Sequence, residues 1–203
     1  MRKENLIAGG FFAFGLAVLG GWALSQSATP AMAQAVDGPG PNLVVEIAGE
    51  ANGKVVIDLL PDLAPKHVAQ ITALAEAGKY DGVVFHRVID GFMAQTGDVQ
   101  FGKAGGDTSR AGMGGSDLPN IPAEFSNESF ERGVLGMARS QSPDSANSQF
   151  FIMFAPGPFL DNQYTVVGRV IDGMDVVDKI KRGAGANGEV SGPDQMVSVT
   201  VEK

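Results

Sequence analysis

Two stretches of the chain mix apolar and hydrogen-bonding side chains in a way that could do chemistry. Residues 85–98 read FHRVIDGFMAQTGD, and residues 147–152 read NSQFFI. Both are predicted to contain strands, in which alternate side chains share a face, so Phe85 and Arg87 should lie on one side and His86 on the other. A single Phe or Met in such a strand is usually a core residue. The combination of aromatic, thioether, amide and guanidinium groups favours a functional site.

The usual signatures of covalent, metal or cofactor chemistry are missing from the sequence. It has no cysteine and only two histidines, His67 and His86. We find no HExxH zinc motif, no P-loop and no GxSxG serine motif, and the Gly-rich runs at 102–106 and 112–115 lack the spacing of a phosphate or dinucleotide loop. Hydrolysis therefore has little support, and the sequence predicts no cofactor and no metal.

The elements that must position these residues are predicted to be mostly strands. Apolar residues alternate over 43–47 and 55–59, and the Asn52-Gly53 pair between them favours a tight hairpin turn. Further strands are predicted over Val83–Val88, Phe92–Thr96, Gly133–Ala138, Phe150–Phe154, Thr165–Val170 and Val197–Val201. Strand number and turn spacing indicate a barrel or a sandwich, and periodicity alone does not decide between them.

Two helices and one long loop complete the predicted domain. Pro65–Ala77 carries apolar residues at helical spacing, begins with proline and is followed by Gly78, which favours a helix end. Met174–Arg182 is the second predicted helix. Residues 97–122 form a Gly-rich loop, and loops of this length in compact domains are usually functional or disordered.

The first 33 residues have the order of a secretory signal peptide. Arg2 and Lys3 precede an uncharged apolar run over 6–24, and Ala31-Met32-Ala33 is a small-x-small cleavage site. We expect residues 1–33 to be removed, residues 34–41 to form a flexible linker and residues 42–203 to form the domain. The alternative is an uncleaved membrane anchor, because the apolar run is near the lower length for spanning a bilayer.

Charge narrows the possible partners. The formal net charge is -8, which disfavours nucleic acid and anionic membrane surfaces, because both are bound through basic patches. Beyond the signal segment no stretch is long and apolar enough for a transmembrane domain, so we expect no stable membrane association unless that segment stays uncleaved. Acidity and the lack of an exposed apolar run favour a monomer.

The two stretches closely resemble the signatures of the cyclophilin family. Residues 85–98 match F-H-R-[VI]-I-x-G-F-[MV]-x-Q-x-G-D, and Ser148–Ile152 match S-Q-F-F-I. The resemblance continues through Gly133–Ala138 and Phe159–Asp161 and covers about residues 42–201. It implies an all-β-dominated fold, a closed eight-stranded antiparallel β-barrel capped by two α-helices. It also implies a peptidyl-prolyl cis–trans isomerase that acts on proline-containing segments of folding proteins, here exported ones in the periplasm.

The same resemblance assigns roles to residues without any cofactor. Arg87 would donate a hydrogen bond to the prolyl nitrogen, and Gln95 would hold a substrate carbonyl and orient Arg87. The remaining residues would bind the peptide: an apolar proline pocket of Phe92, Met93, Phe151 and Leu160, backbone contacts at Ala138 and Arg139, Gln149 on the same face, and Phe159 and Tyr164 at the groove.

Three of these positions depart from the common family pattern. Phe159 stands where many eukaryotic members have Trp, so we expect weak cyclosporin binding. Tyr164 replaces a common His but keeps a hydrogen-bond donor, and Arg139 replaces Asn and adds a charge near the groove. A second hypothesis is a proline-peptide binding or chaperone module with incidental isomerase activity. The sequence separates it from the enzyme only through Arg87.

Overall fold

The described part of the protein is a curled antiparallel sheet with two helices. The computed structural model describes residues 36–202, so the predicted signal peptide lies outside the described residues. None of the helices between residues 36 and 202 has the length and apolar character needed to cross a membrane. The end of the predicted linker contacts the domain, because the Leu59 amide donates to the Pro41 carbonyl at 3.1 Å.

Nine strands form the sheet in the described residues, where eight were predicted. They are β1 Asn42–Ala48, β2 Gly53–Leu59, β3 Val83–Val84, β4 Arg87–Ile89, β5 Met93–Thr96, β6 Val134–Met137, β7 Phe150–Met153, β8 Val166–Asp172 and β9 Gln195–Glu202. Their order across the sheet is β3-β9-β1-β2-β8-β6-β7-β5-β4. No ladder joins β3 to β4 within this range, so the predicted closed eight-stranded barrel is not confirmed.

The extra strand arises because the predicted strand Val83–Val88 is broken at Phe85 and His86. The Val84 amide donates to the Gly102 carbonyl at 2.8 Å and the Phe85 amide donates to the Asp194 carbonyl at 2.9 Å. The chain therefore bonds to neighbouring loops where β3 ends, and β4 begins only at Arg87. The prediction that Phe85 and Arg87 share a face was therefore wrong: Phe85 is buried in the main core, and Arg87 lies outside that core.

Strand periodicity divides the apolar residues into two clusters. Ala94, Leu135, Ile152 and Val167 belong to the main core inside the curled sheet. Their sequence neighbours on the same strands point the other way and, with Phe130 and Leu160, form a smaller cluster on the outer face: Met93, Val134, Phe151, Met153 and Val166. This outer-face cluster places the predicted proline-pocket residues on the outside of the sheet.

Both predicted helices are present, and the second is shorter than predicted. Helix α1 spans Pro65–Glu76 and packs Val68, Ile71 and Leu74 against the core. Helix α2 spans only Met174–Val177. Beyond it the chain continues in tighter turns, and the Lys181 amide donates to the buried carboxylate of Asp194 at 2.7 Å. The Lys181 amide thus bonds to a tertiary partner and not to a helical carbonyl, and the helix does not reach Arg182.

Candidate active site

A cavity of about 400 Å³ lies on the outer face of the sheet. It is lined by all the predicted site residues except Gln149, together with Gln163: Arg87, Phe92, Met93, Gln95, Ala138, Arg139, Phe151, Phe159, Leu160, Gln163 and Tyr164. These residues come from four segments that are far apart in sequence. The antiparallel pairing of β4, β5 and β7 brings two of these segments together, with Arg87 opposite Gln95 and Gln95 opposite Phe151.

Arg87 is held on two sides and is free on a third. Its Nε donates to the Asn187 carbonyl at 3.0 Å, and its Nη1 donates to Gln95 Oε1 at 3.1 Å. Among residues 36–202, nothing accepts a hydrogen bond from its Nη2. Partial burial lowers the pKa of Arg87 from its ordinary value, and Tyr164 opposes this shift. The guanidinium nevertheless stays charged at neutral pH and presents a positioned donor to the cavity.

Gln95 links this cavity to a second one. Its Nε2 donates to Gln149 Oε1 at 2.9 Å, and Gln149 Nε2 donates in turn to the Gly114 carbonyl at 2.8 Å. Gln149 lines a neighbouring cavity of about 410 Å³ that shares Gln95, Ala138 and Arg139 with the first. Gln149 therefore fixes the amide orientation of Gln95, but it lines the second cavity and not the apolar first one.

Phe151 forms the apolar centre of the first cavity. Its ring stacks on Phe130 with centroids 5.8 Å apart and meets Tyr164 edge-on at 5.9 Å. A Cβ atom added at Gly136 would lie 2.6 Å from Phe130 Cε1 and 2.9 Å from Phe151 Cε2. Only glycine leaves room for this stack, so Gly136 is a positioning residue that sequence reasoning missed.

The outer rim is aromatic and exposed. Phe159 has 62% of its surface exposed and lies 5.4 Å from Phe92, centroid to centroid. Leu160 is buried beside it at the bottom of the same turn. An exposed aromatic pair beside a buried leucine offers an apolar contact surface to a ligand that enters the cavity.

Arg139 lies at the border of the two cavities. Its guanidinium carbon is 4.3 Å above the centre of the Tyr164 ring. Its Nη2 donates to the Gln163 carbonyl at 3.0 Å, and its Nη1 donates to the Ser140 carbonyl at 2.9 Å. Sequence reasoning assigned no role to Gln163, because its contact with Arg139 is made by a backbone carbonyl and is visible only in the fold.

The long loop over residues 97–122 is organised by one buried carboxylate. Asp98 accepts hydrogen bonds from four backbone amides, at Gln100, Phe101, Gly112 and Gly114, over 2.8 to 3.0 Å. Asp98 is fully buried, and these bonds fold the Gly-rich segment over the second cavity. The loop is therefore an ordered wall of the site, and Asp98 is its anchor.

The loop continues to the first helix through Glu124. This carboxylate accepts hydrogen bonds from the backbone amides of Lys66 and His67 and from His67 Nδ1, the last at 2.7 Å. Burial alone would raise the pKa of Glu124, but the bonds from His67 and Lys66 leave the pKa below its ordinary value. Glu124 thus caps helix α1, whose own N-cap Ala64 makes no side-chain hydrogen bond.

Comparisons with known proteins decide the family. The protein-family model described as "Cyclophilin type peptidyl-prolyl cis-trans isomerase/CLD" matches residues 43–201 of the sequence. The chain belongs to this family. A probable peptidyl-prolyl cis-trans isomerase of Brucella suis biovar 1 (strain 1330) is 63% identical over 154 residues, which cover 74% of this chain and 79% of that protein. A protein of the same name from Brucella abortus (strain 2308) is 62% identical over the same length.

Solved cyclophilin structures share the fold. Cyclophilin AquaCyp293 from Hirschia baltica superimposes with a TM-score of 0.65 at 28% identity, covering 81% of this chain and 74% of that one. A Cryptosporidium parvum cyclophilin-type isomerase, crystallised in the presence of the dipeptide ala-pro, gives a TM-score of 0.67 at 23% identity and covers 80% and 99%. Family and relatives together support peptidyl-prolyl cis–trans isomerase activity in this chain.

Proposed function

We propose that the chain accelerates rotation of X–Pro bonds by donating a hydrogen bond from Arg87 to the prolyl nitrogen. The carrying observation is that Arg87 lines the apolar cavity, is fixed through Nε and Nη1, and has no acceptor for Nη2 among the described residues. A twisted amide has a pyramidal nitrogen with a usable lone pair, whereas a planar amide delocalises that pair. A fixed donor at that nitrogen therefore stabilises the twisted state selectively.

One donor supplies only part of the required stabilisation. Each tenfold acceleration needs about 1.4 kcal/mol, so a 10⁵-fold gain needs about 7 kcal/mol. Removing one preorganised donor from a transition-state site typically costs about 10² to 10³ in rate. The rest has to come from other groups. We assign it to the grip of Phe151, Leu160 and Met93 on the proline ring, and to exclusion of water from the amide.

Gln95 orients Arg87 in this proposal, through one hydrogen bond on each side of its amide. Its Oε1 accepts from Arg87 Nη1, which fixes the guanidinium plane, and its Nε2 is held by Gln149. The amide is thereby prevented from rotating and keeps its oxygen toward Arg87. Ala138 and Arg139 line both cavities, so an extended peptide that places proline in the first cavity would place a residue near the second. The ala-pro dipeptide present with the Cryptosporidium parvum relative is consistent with a proline ligand.

The alternative is a binding module with incidental activity. Exchange NMR on a short Ala-Pro peptide separates the two, because it measures binding and isomerisation in one sample without a coupling protease. We expect the wild-type chain to broaden the cis and trans signals of the peptide and to increase the rate of exchange between the two forms. Binding with no increase in exchange rate would favour the binding module, and absence of both would overturn the proposal.

We further propose that the domain acts on exported proteins, as a monomer in the periplasm. The support is the signal-like order of residues 1–33 and the net charge of -8. Mass analysis of the exported protein tests the location. An N-terminus at Gln34 supports cleavage and release, and an intact N-terminus in the membrane fraction supports the anchored alternative. A sedimentation measurement of the cleaved chain tests the monomer.

A further inference from the structure

The two cavities contain positive charge and no negative charge. Arg87 and Arg139 are the ionisable cations in their lining, and no Asp or Glu of the described residues lines either cavity. The whole chain carries a formal net charge of -8. The groove is therefore a local positive site on an acidic protein.

The hydrogen-bond partners of these two arginines are all neutral. Arg87 donates to a carbonyl, to an amide oxygen and to the Met93 sulfur. Arg139 donates to backbone carbonyls and lies over the Tyr164 ring. Within residues 36–202 neither makes an ion pair. Their positive charge is thus held in place but not neutralised.

Three other arginines of the same chain form ion pairs with carboxylates. Arg132 pairs with Asp178 at 2.6 Å, Arg182 pairs with Asp90 at 2.9 Å, and Arg169 pairs with Asp58 at 3.3 Å. The chain has 23 acidic residues available. Of the four described arginines outside the two cavities, only Arg110 has no carboxylate partner among the described residues, and it lies over the Phe101 ring. Three of the four are paired, whereas neither arginine of the groove is.

We propose that the groove selects proline segments that carry an acidic residue near the proline, and that Arg139 is the specificity-determining residue. This rests on the proposed isomerase function. Arg139 is shared by both cavities, and an extended chain advances about 3.3 Å per residue. A side chain two residues from a proline bound in the first cavity would therefore lie near the guanidinium. A carboxylate there gains a charge-assisted contact that a neutral amide of the same shape lacks.

A matched peptide series tests this. Blocked peptides with a central Ala-Pro carry Glu, Gln or Lys two positions before or two positions after the proline, and exchange NMR gives kcat/KM for each. A partly exposed ion pair corresponds to roughly a three- to fivefold preference. At one of the two positions, we expect kcat/KM for the Glu peptide to exceed that for the Gln peptide by this factor. We expect kcat/KM for the Lys peptide to lie below that for the Gln peptide.

Two variants locate the preference. Arg139→Gln should bring the Glu-to-Gln ratio close to one, whatever its effect on the absolute rates. Lys179→Gln removes the same charge from an exposed ion pair with Asp175 outside both cavities, and it should leave the ratio unchanged. Equal rates with Glu and Gln for an active wild-type chain would overturn the charge preference and leave the isomerase intact. If no peptide is accelerated, the proposed function itself fails.

Discussion

Replacing Gly136 by alanine tests the packing of the site directly, because the added methyl group would overlap two aromatic rings. Its Cβ in a Gly136→Ala variant would lie 2.6 Å from Phe130 Cε1, about 0.8 Å short of the 3.4 Å at which ordinary contact begins. The nearest atom of the Phe151 ring is closer still. Both rings are buried, and only Phe151 lines the first cavity. We therefore expect the Phe151 ring to shift toward that cavity.

Two effects follow from this shift. Inserting one methyl group into a packed cluster costs about 1 to 3 kcal/mol of unfolding free energy, which lowers Tm by roughly 3 to 10 °C for a domain of this size. Misplacement of a catalytic surface by about 1 Å can cost as much as 10²-fold in rate. We therefore expect Gly136→Ala to lower kcat/KM by about 10- to 100-fold.

The assay combines exchange NMR on an Ala-Pro peptide with thermal unfolding. Gly106→Ala is the control, because a Cβ there meets only the Lys103 carbonyl at 3.3 Å and lies outside both cavities. It should change kcat/KM by less than twofold. If Gly136→Ala keeps both kcat/KM and Tm at the wild-type values, the steric argument for Phe151 is wrong.

Two further predictions concern the anchor of the long loop and the cap of helix α1. Asp98→Ala leaves four backbone amides without an acceptor, so we expect a loss of about 2 to 4 kcal/mol in urea unfolding and faster hydrogen exchange at Gly112 and Gly114; unchanged exchange at these glycines would contradict the anchoring role. The pKa of Glu124 is lowered in the folded state. The ionised carboxylate therefore contributes to the free energy of unfolding above its unfolded pKa of about 4.3, and this contribution is lost as pH falls through the folded pKa. Glu124→Gln should lower stability at pH 7 and flatten the fall in stability below about pH 5, and parallel pH profiles for variant and wild type would refute this.

Local patterns predicted the elements, and tertiary contacts set their ends. Alternation over 43–47 and 55–59 placed Leu43, Val45 and Ile57 in the core, as observed. The break between β3 and β4 and the short helix α2 were not predictable from periodicity. Both depend on Asp194, whose carbonyl and carboxylate bind amides more than ten residues away.

The residues of the candidate site were predicted from the family motifs, whereas strand periodicity alone predicted only the elements that carry them. Residues of the two signature stretches line neighbouring cavities because β4, β5 and β7 pair in register. The missed residues act in ways that side-chain type does not reveal. Asn187 holds Arg87 through its backbone carbonyl, and Gly136 acts by having no side chain. A sequence pattern predicts which groups can react more readily than it predicts what holds them.

The most direct test of the central claim is the rate of X–Pro exchange with Arg87→Ala. If Arg87 Nη2 stabilises the twisted amide, kcat/KM should fall by about 10² to 10³, whereas the Kd for the same peptide should change only a few fold, because the apolar pocket remains. Lys179→Ala, which also removes one surface cation, should keep the wild-type rate. A folded Arg87→Ala protein that isomerises the peptide within threefold of the wild-type rate would contradict the account.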